Sequence, residues 1–290
     1  MNYESPKEIA ALLESRGLSL KKRYGQNFLV GRGARDRIVA AIDPKPGDRV
    51  WEIGPGIGSI TDLLVGRVAA LTAFEIDRGF LPILESRFGS FAGFRLVPGD
   101  FLATWERIRA EQGLPDLIFG NLPYSSASAI IAALVKGGTE GVRMVVTVQR
   151  EVAERIGARP GTKAYSGFSI LCQWAYAVVA HGDLRPGSFF PAPEVISSVI
   201  ELRPRNRPPL GDRELFFGLT RHLFGARRKT IRNNLLATRG LEGMSDSDID
   251  GALEAASLDP HSRGERLTVE QVSALADRLA ALRGRASGAI

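Results

Sequence analysis

Five short apolar runs recur between residues 49 and 148: Arg49 to Ile53, Ala70 to Glu75, Phe94 to Val97, Leu117 to Phe119 and Arg143 to Val148. They are too short for helices and largely lack in–out alternation, so they read as strands covered on both faces. Amphipathic stretches separate them, and strands joined by helices pair in parallel. The pattern therefore specifies an α/β fold with a doubly wound, Rossmann-like sheet. Two further β-rich stretches, around Ser169 to Val179 and Ser197 to Leu202, show no clear helix between them and are expected to end the sheet as an antiparallel pair. Ahead of the sheet, Ser5-Pro6-Lys7-Glu8 reads as an N-cap, a first-turn proline and a capping-box glutamate, opening a helix that stops near Gly17. A second helix is expected from about Arg32 to Ile42. Pro204, Pro208 and Pro209 mark a linker, beyond which the pattern is helical to Leu282, with GRASGAI expected to fray. The boundary falls near residue 206, giving a nucleotide-binding domain over 1–205 and a small helical domain over 206–290.

The loop WEIGPGIGSIT, residues 51 to 61, joins the first of the five strands to a helix through three glycines at two-residue spacing. Glycines let backbone amides approach a ligand, and the following helix N-terminus favours negative charge. A dinucleotide fingerprint requires G-x-G-x-x-G, but Ser59 stands where its third glycine would be. An adenosine-type ligand without a pyrophosphate fits better. Glu75 ends the next strand, where a carboxylate can accept both ribose hydroxyls, and Asp100 ends the third, where it can accept from an adenine amine.

GNLPYSS, residues 120 to 126, follows the fourth strand at the sheet edge where open α/β folds bind ligands. Gly120 is expected to let the chain turn. The Asn121 side-chain oxygen and the Leu122 carbonyl can each accept from one planar amine, with Pro123 stiffening the loop and Tyr124 offering a face for base stacking. An exocyclic adenine amine is a poor nucleophile because its lone pair is delocalised. Two acceptors around it favour the pyramidal geometry in which it can attack an electrophilic methyl group. In SFFPAPEV, residues 188 to 195, one phenylalanine is expected to face the target and one the core, and Phe189 is placed with the catalytic set.

Charge adds a partner class. The chain carries +6, and 31 of its 38 cations are arginine. Six basic residues and no acidic one lie between Arg221 and Arg239, and seven lie between Arg16 and Arg37 against only Asp36. Concentrated basic segments mark a nucleic-acid footprint, and Arg227, Arg228, Lys229 and Arg232 are the candidate phosphate contacts. The single cysteine, Cys172, reads as a buried thiol without a catalytic role, and the three histidines suggest no metal site. No signal-peptide or membrane-spanning run is evident, so a cytoplasmic protein is expected.

Taken together, YGQNFL at 24 to 29, EIGPGIGSIT at 52 to 61, EID at 75 to 77, GD at 99 to 100, NLPY at 121 to 124, VQREVAERI at 148 to 156, FFPAPEV at 189 to 195 and FGARRKTIRNNL at 224 to 235 resemble the KsgA-type small-subunit (16S) rRNA adenine dimethyltransferases. The resemblance implies a class I methyltransferase domain that uses S-adenosylmethionine and transfers two methyls to each of two adjacent adenosines in a hairpin near the 3′ end of that rRNA. It places cofactor contacts on Asn27, Leu29, Gly54, Glu75, Asp100 and Asn121, and the target motif on Asn121 to Tyr124. It implies a pre-ribosomal particle as partner, and nothing requires more than a monomer. Ser125 departs from the family's usual asparagine, and Ser166 stands where glycine is preferred after Tyr165. Two alternatives are a large-subunit rRNA methylase of the macrolide-resistance type, which typically has isoleucine at the Leu122 position, and a factor that chiefly binds assembling small subunits.

Overall fold

The computed structural model describes residues 1–19, 26–207, 210–237, 241 and 244–287. Lys21, Lys22, Arg23, Tyr24 and Gly25 of the first basic segment, Arg239 of the second, and linker residues Pro208 and Pro209 lie outside the described residues. The strands are β1 (Phe28–Leu29), β2 (Arg49–Ile53), β3 (Ala70–Glu75), β4 (Phe94–Pro98), β5 (Leu117–Asn121), β6 (Arg143–Gln149), β7 (Tyr176–Leu184), β8 (Phe189–Phe190) and β9 (Ser197–Pro204). The helices are α1 (Pro6–Ser15), α2 (Arg32–Ile42), α3 (Thr61–Leu64), α4 (Leu81–Phe88), α5 (Phe101–Gln112), α6 (Ala127–Lys136), α7 (Arg150–Ile156), α8 (Gly167–Ala175), α9 (Arg213–Gly225), α10 (Ile231–Leu236), α11 (Asp246–Ala255) and α12 (Val269–Ser287). Two compact units result, residues 1–153 with 177–204 and residues 154–176 with 205–290.

In the first unit, the described strands form a seven-stranded sheet in the order β4-β3-β2-β5-β6-β9-β7. β4 to β6 run parallel, and β9 pairs antiparallel with β6, with Ser197 opposite Gln149. The chain moves outward from β2 through β3 to β4, then returns to lay β5 on the other side of β2. That reversal opens a crevice at the carboxyl ends of β2 and β5. Gly120 was expected to turn the chain, but β5 continues through Gly120 to Asn121. The glycine serves close approach instead, because a Cβ there would lie 2.6 Å from the Ile53 carbonyl oxygen on β2.

Trp51, Phe74, Phe101 and Trp105 form a chain of ring contacts that fills one face of the sheet, with centroid separations of 5.3, 5.0 and 6.3 Å. On α1, the Ser5 hydroxyl accepts from the Glu8 amide as the sequence suggests. The capping box stays half-made, because the Glu8 carboxylate accepts from the Asn2 amide and Ser5 N–H donates to the Asn2 carbonyl. Tyr3, with Ile9 and Leu13 of α1, packs on Ile57 of the glycine loop in one cluster with Phe28, Phe80 and Ile83. β1 pairs with β8, Phe28 opposite Phe190 and Leu29 opposite Phe189.

The second unit is helical. Residues Ser169 to Ala175, read as β-rich from sequence, are helical in α8. Ile170, Leu171, Cys172, Trp174 and Ala175 are all buried, and a short, mostly apolar run of this length reads equally as a buried strand or a buried helix. Ser166 caps this helix in a reciprocal box with Ser169, at φ −155 and ψ 172. That is ordinary extended backbone, which serine adopts without strain. Trp174 packs against Phe216 and Phe217 of α9, and burial pushes the Cys172 thiol well up, leaving it inert. The helical backbone of α12 continues through Ser287, past the point where fraying was expected.

Candidate active site

A cleft opens at the sheet reversal, lined by Asn27, Leu29, Glu52, Gly54, Gly56, Glu75, Asn121, Pro123 and Thr147 among others. Gly54, Gly56 and Gly58 all adopt positive φ (72°, 59° and 88°), a region costly for other residues. A Cβ on Gly54 would meet nothing within 4 Å, so the space beside it is unfilled, whereas one on Gly58 would strike the Phe88 ring at 2.4 Å.

Glu75 is only 4 % exposed. One carboxylate oxygen accepts from Gly56 N–H at 2.9 Å and the other from Asp77 N–H at 2.7 Å. Burial pushes its carboxyl up to about 7, while these amide donors pull it back down. Glu75 lines the cleft, and a carboxylate is the acceptor chemistry that receives a vicinal diol. Glu52, at the floor of the cleft and 3 % exposed, was not singled out from sequence. It accepts from the Thr61 hydroxyl at 2.6 Å; burial raises it to about 8, Thr61 lowers it and the Glu75 charge raises it.

Behind the glycine loop stands Tyr3, also missed from sequence. Its hydroxyl donates to the Ile57 carbonyl at 3.1 Å. The guanidiniums of Arg35 and Arg87 lie 5.2 and 5.1 Å from its ring centroid. Arg35 Nε also donates to the Ser59 carbonyl at 3.2 Å, and Arg87 pairs with Asp62 at 2.8 Å. The loop is thus fixed from the side away from the cleft.

Opposite it, Asn121 Nδ2 donates to the Asn27 carbonyl at 3.0 Å. An amide oxygen placed there would face another acceptor, so this bond fixes which end of the side chain points away. Oδ1 then has no donor among the described residues, and neither does the Leu122 carbonyl, although Leu122 N–H donates to Thr147 on β6 at 3.0 Å. Half-buried Tyr124 shares a hydrogen bond of 2.7 Å with Ser197 on β9. Burial raises its phenol, and the bond to Ser197 opposes that shift. Ser125 is exposed.

The structure thus brings together Asn27, Leu29, Gly54, Glu75, Asn121 and Pro123 around one cleft. Leu122, 1 % exposed, and Tyr124 continue the loop beyond it. Asp100 sits outside the lining, exposed at the N-cap of α5, where one oxygen accepts from Leu102 N–H at 3.0 Å and the other has no donor among the described residues. Phe189, placed with the catalytic set from sequence, is 4 % exposed and packs in the core with Leu29, Phe119 and Val199. Its ring offers no face to a base in this arrangement, whereas Phe190 is partly exposed.

The four candidate phosphate contacts of the second unit divide in two. Arg232 makes a two-pronged pair with Asp250 at 2.5 and 2.8 Å, and Arg227 is held by Glu265 at 3.4 Å and by the Lys163 and Tyr165 carbonyls. Arg228 and Lys229 are exposed and make no ion pair among the described residues.

Strand order, the glycine loop at the reversal and an acid ending β3 define a class I methyltransferase fold. Solved structures agree: a dimethyladenosine transferase from Plasmodium falciparum superposes with TM-score 0.74 at 22 % identity, over 89 % of this chain and 97 % of that one. The 23S rRNA methyltransferase ErmE gives TM-score 0.63 at 24 % identity, over 87 % and 99 %. Residues 17–272 match the family model for ribosomal RNA adenine dimethylase. Ribosomal RNA small subunit methyltransferase A of Treponema pallidum (strain Nichols) is 41 % identical, covering 97 % of this chain and 98 % of that protein. Those of Treponema denticola and Geobacter metallireducens are 39 % and 35 % identical, over 95 % and 94 % of this chain and 95 % and 100 % of those proteins. The chain belongs to the ribosomal RNA adenine dimethylase family.

Proposed function

We propose that this protein dimethylates two adjacent adenosines in a hairpin near the 3′ end of small-subunit rRNA during ribosome assembly, with S-adenosylmethionine as methyl donor. The observation that carries this reading is the Asn121 amide, whose bond to Asn27 leaves Oδ1, like the adjacent Leu122 carbonyl, without a donor among the described residues. The cleft suits the cofactor: Glu75 can take the ribose hydroxyls, the free oxygen of Asp100 the adenine amine, and Asn27, Leu29 and Gly54 the remaining contacts. When bound, the cofactor supplies an electrophilic methyl group.

The chain's own groups prepare the acceptor. Asn121 Oδ1 and the Leu122 carbonyl accept the two N–H bonds of the target amine and bias its nitrogen towards a pyramidal geometry. Tyr124 stacks on the extruded base, which at about 1–3 kcal/mol offsets much of the cost of extrusion. No metal or general base is needed before the attack. All these groups belong to one unit of one chain, which fits a monomer acting in the cytoplasm. Arg228 and Lys229 contact phosphates, while Arg227 and Arg232 shape the segment that carries them. Recognition is then of backbone and shape, as A-form grooves favour.

The reading is tested by incubating the protein with labelled S-adenosylmethionine and either undermethylated small subunits or large subunits, then mapping the modified bases. Label on two adjacent small-subunit adenosines is expected. Label confined to large subunits would replace this reading with that of a large-subunit methylase.

A further inference from the structure

A phenol half-removed from water needs a hydrogen-bond partner, and the one Tyr124 finds lies 73 residues away. Ser197 opens β9 and is 0 % exposed, with its hydroxyl 2.7 Å from the Tyr124 oxygen. The next hydroxyl along the strand, Ser198, turns away and donates to Asp183 at 2.7 Å, as alternation along a strand requires. The loop is therefore tied to the β6–β9 pair at two points, Leu122 N–H on Thr147 and the Tyr124 phenol on Ser197.

We propose that Ser197 is a positioning residue of the methyl-transfer site, holding the Tyr124 ring where the target base stacks before the base arrives. The inference rests on the stacking role given to Tyr124 above. The phenol oxygen lies on the Cβ–Cζ axis, so the bond fixes the direction in which the ring points and leaves rotation about that axis to ordinary side-chain preferences. Without it the ring swings, and its ordering is added to the cost of binding RNA. Ser197 itself touches neither base nor cofactor, so its effect must pass through the phenol oxygen.

A double-mutant cycle tests this on the full-length protein, with undermethylated small subunits as substrate. Ser197→Ala and Tyr124→Phe each remove the same bond, and each is expected to lower kcat/KM for the particle by about threefold to tenfold, the range of one net hydrogen bond. The double variant is expected to be no worse than either single one, with KM for S-adenosylmethionine unchanged throughout. An unaffected Ser197→Ala enzyme, or losses that multiply in the double variant, would overturn the proposal. Tyr124→Ala separates this failure from that of the parent reading: if it methylates at the wild-type rate, the stacking role itself is wrong.

Discussion

The loops after β2 and β5 close the same cleft, yet they are held in opposite ways. The Gly54–Gly58 loop is engaged on both sides. Gly56 N–H is committed to Glu75, Ile57 C=O to Tyr3 and Ser59 C=O to Arg35, all beneath a packed layer from α1. The Asn121–Tyr124 loop is anchored through Nδ2, the Leu122 amide and the phenol, but keeps two carbonyl oxygens without donors among the described residues. Contacts that a ligand makes equally in its ground and transition states add affinity without raising kcat. Unclaimed acceptors aimed at a reacting amine can strengthen as its geometry changes, and only such interactions raise kcat. Under the proposed function, affinity for the cofactor belongs to one side of the cleft and rate to the other.

The comparison can be broken first at Glu75. Glu75→Ala is expected to weaken S-adenosylmethionine binding about 100-fold, as loss of charge-assisted bonds would, with kcat at saturating cofactor nearly unchanged. A large drop in kcat would show that the cofactor side also sets the rate. Tyr124→Ala should do the converse, lowering kcat/KM for the particle tenfold or more through lost stacking, with cofactor affinity intact in a binding titration.

Acidity sharpens the same contrast. Ligand hydroxyls donate to ionised Glu75, so cofactor affinity should fall as pH drops through about 7, by about tenfold between pH 7.5 and 6. Calorimetry on Glu75→Gln should give a flatter profile. Stability of the ligand-free protein runs the other way. Glu52 and Glu75 bind protons more tightly folded than unfolded, so their contribution is full below the ordinary value of 4.5 and is lost as pH rises through about 7 to 8. Glu52→Gln should therefore lower the pH dependence of Tm across that window. The smallest effect is expected for Tyr3→Phe, which keeps the ring between Arg35 and Arg87 but loses the bond to Ile57. About threefold weaker cofactor binding, with unchanged kcat, is the expected outcome.

Much of this architecture is legible in the sequence where burial leaves a pattern. The inner parallel strands show because they are covered on both faces, the half-buried edge strand β4 shows as a short apolar run, and Glu75 shows because it ends β3. α8 does not, since a short, mostly apolar run reads equally as strand or helix, and the two-residue strands β1 and β8 are too short to have a period. Long-range partners are equally silent: Tyr3 meets Ile57 at a separation of 54 residues and Tyr124 meets Ser197 at 73. The basic run 227–232 is visible, but not that Arg227 and Arg232 are claimed by Glu265 and Asp250 from later segments. That distinction bears on salt dependence. Replacing Arg228 and Lys229 together should flatten the logarithmic salt slope for particle binding by about 2, and an unchanged slope would remove them from the footprint.

The central claim is that the free oxygens of Asn121 and Leu122 activate an adenine amine. Single-turnover methyl transfer by Asn121→Ala, with S-adenosylmethionine and undermethylated small subunits both saturating and particle binding measured in parallel, tests it most directly. A rate loss of about 100-fold or more with particle binding retained is the expected result, comparable to removing one preorganised group from a transition-state site. Transfer at near wild-type rate would contradict the account.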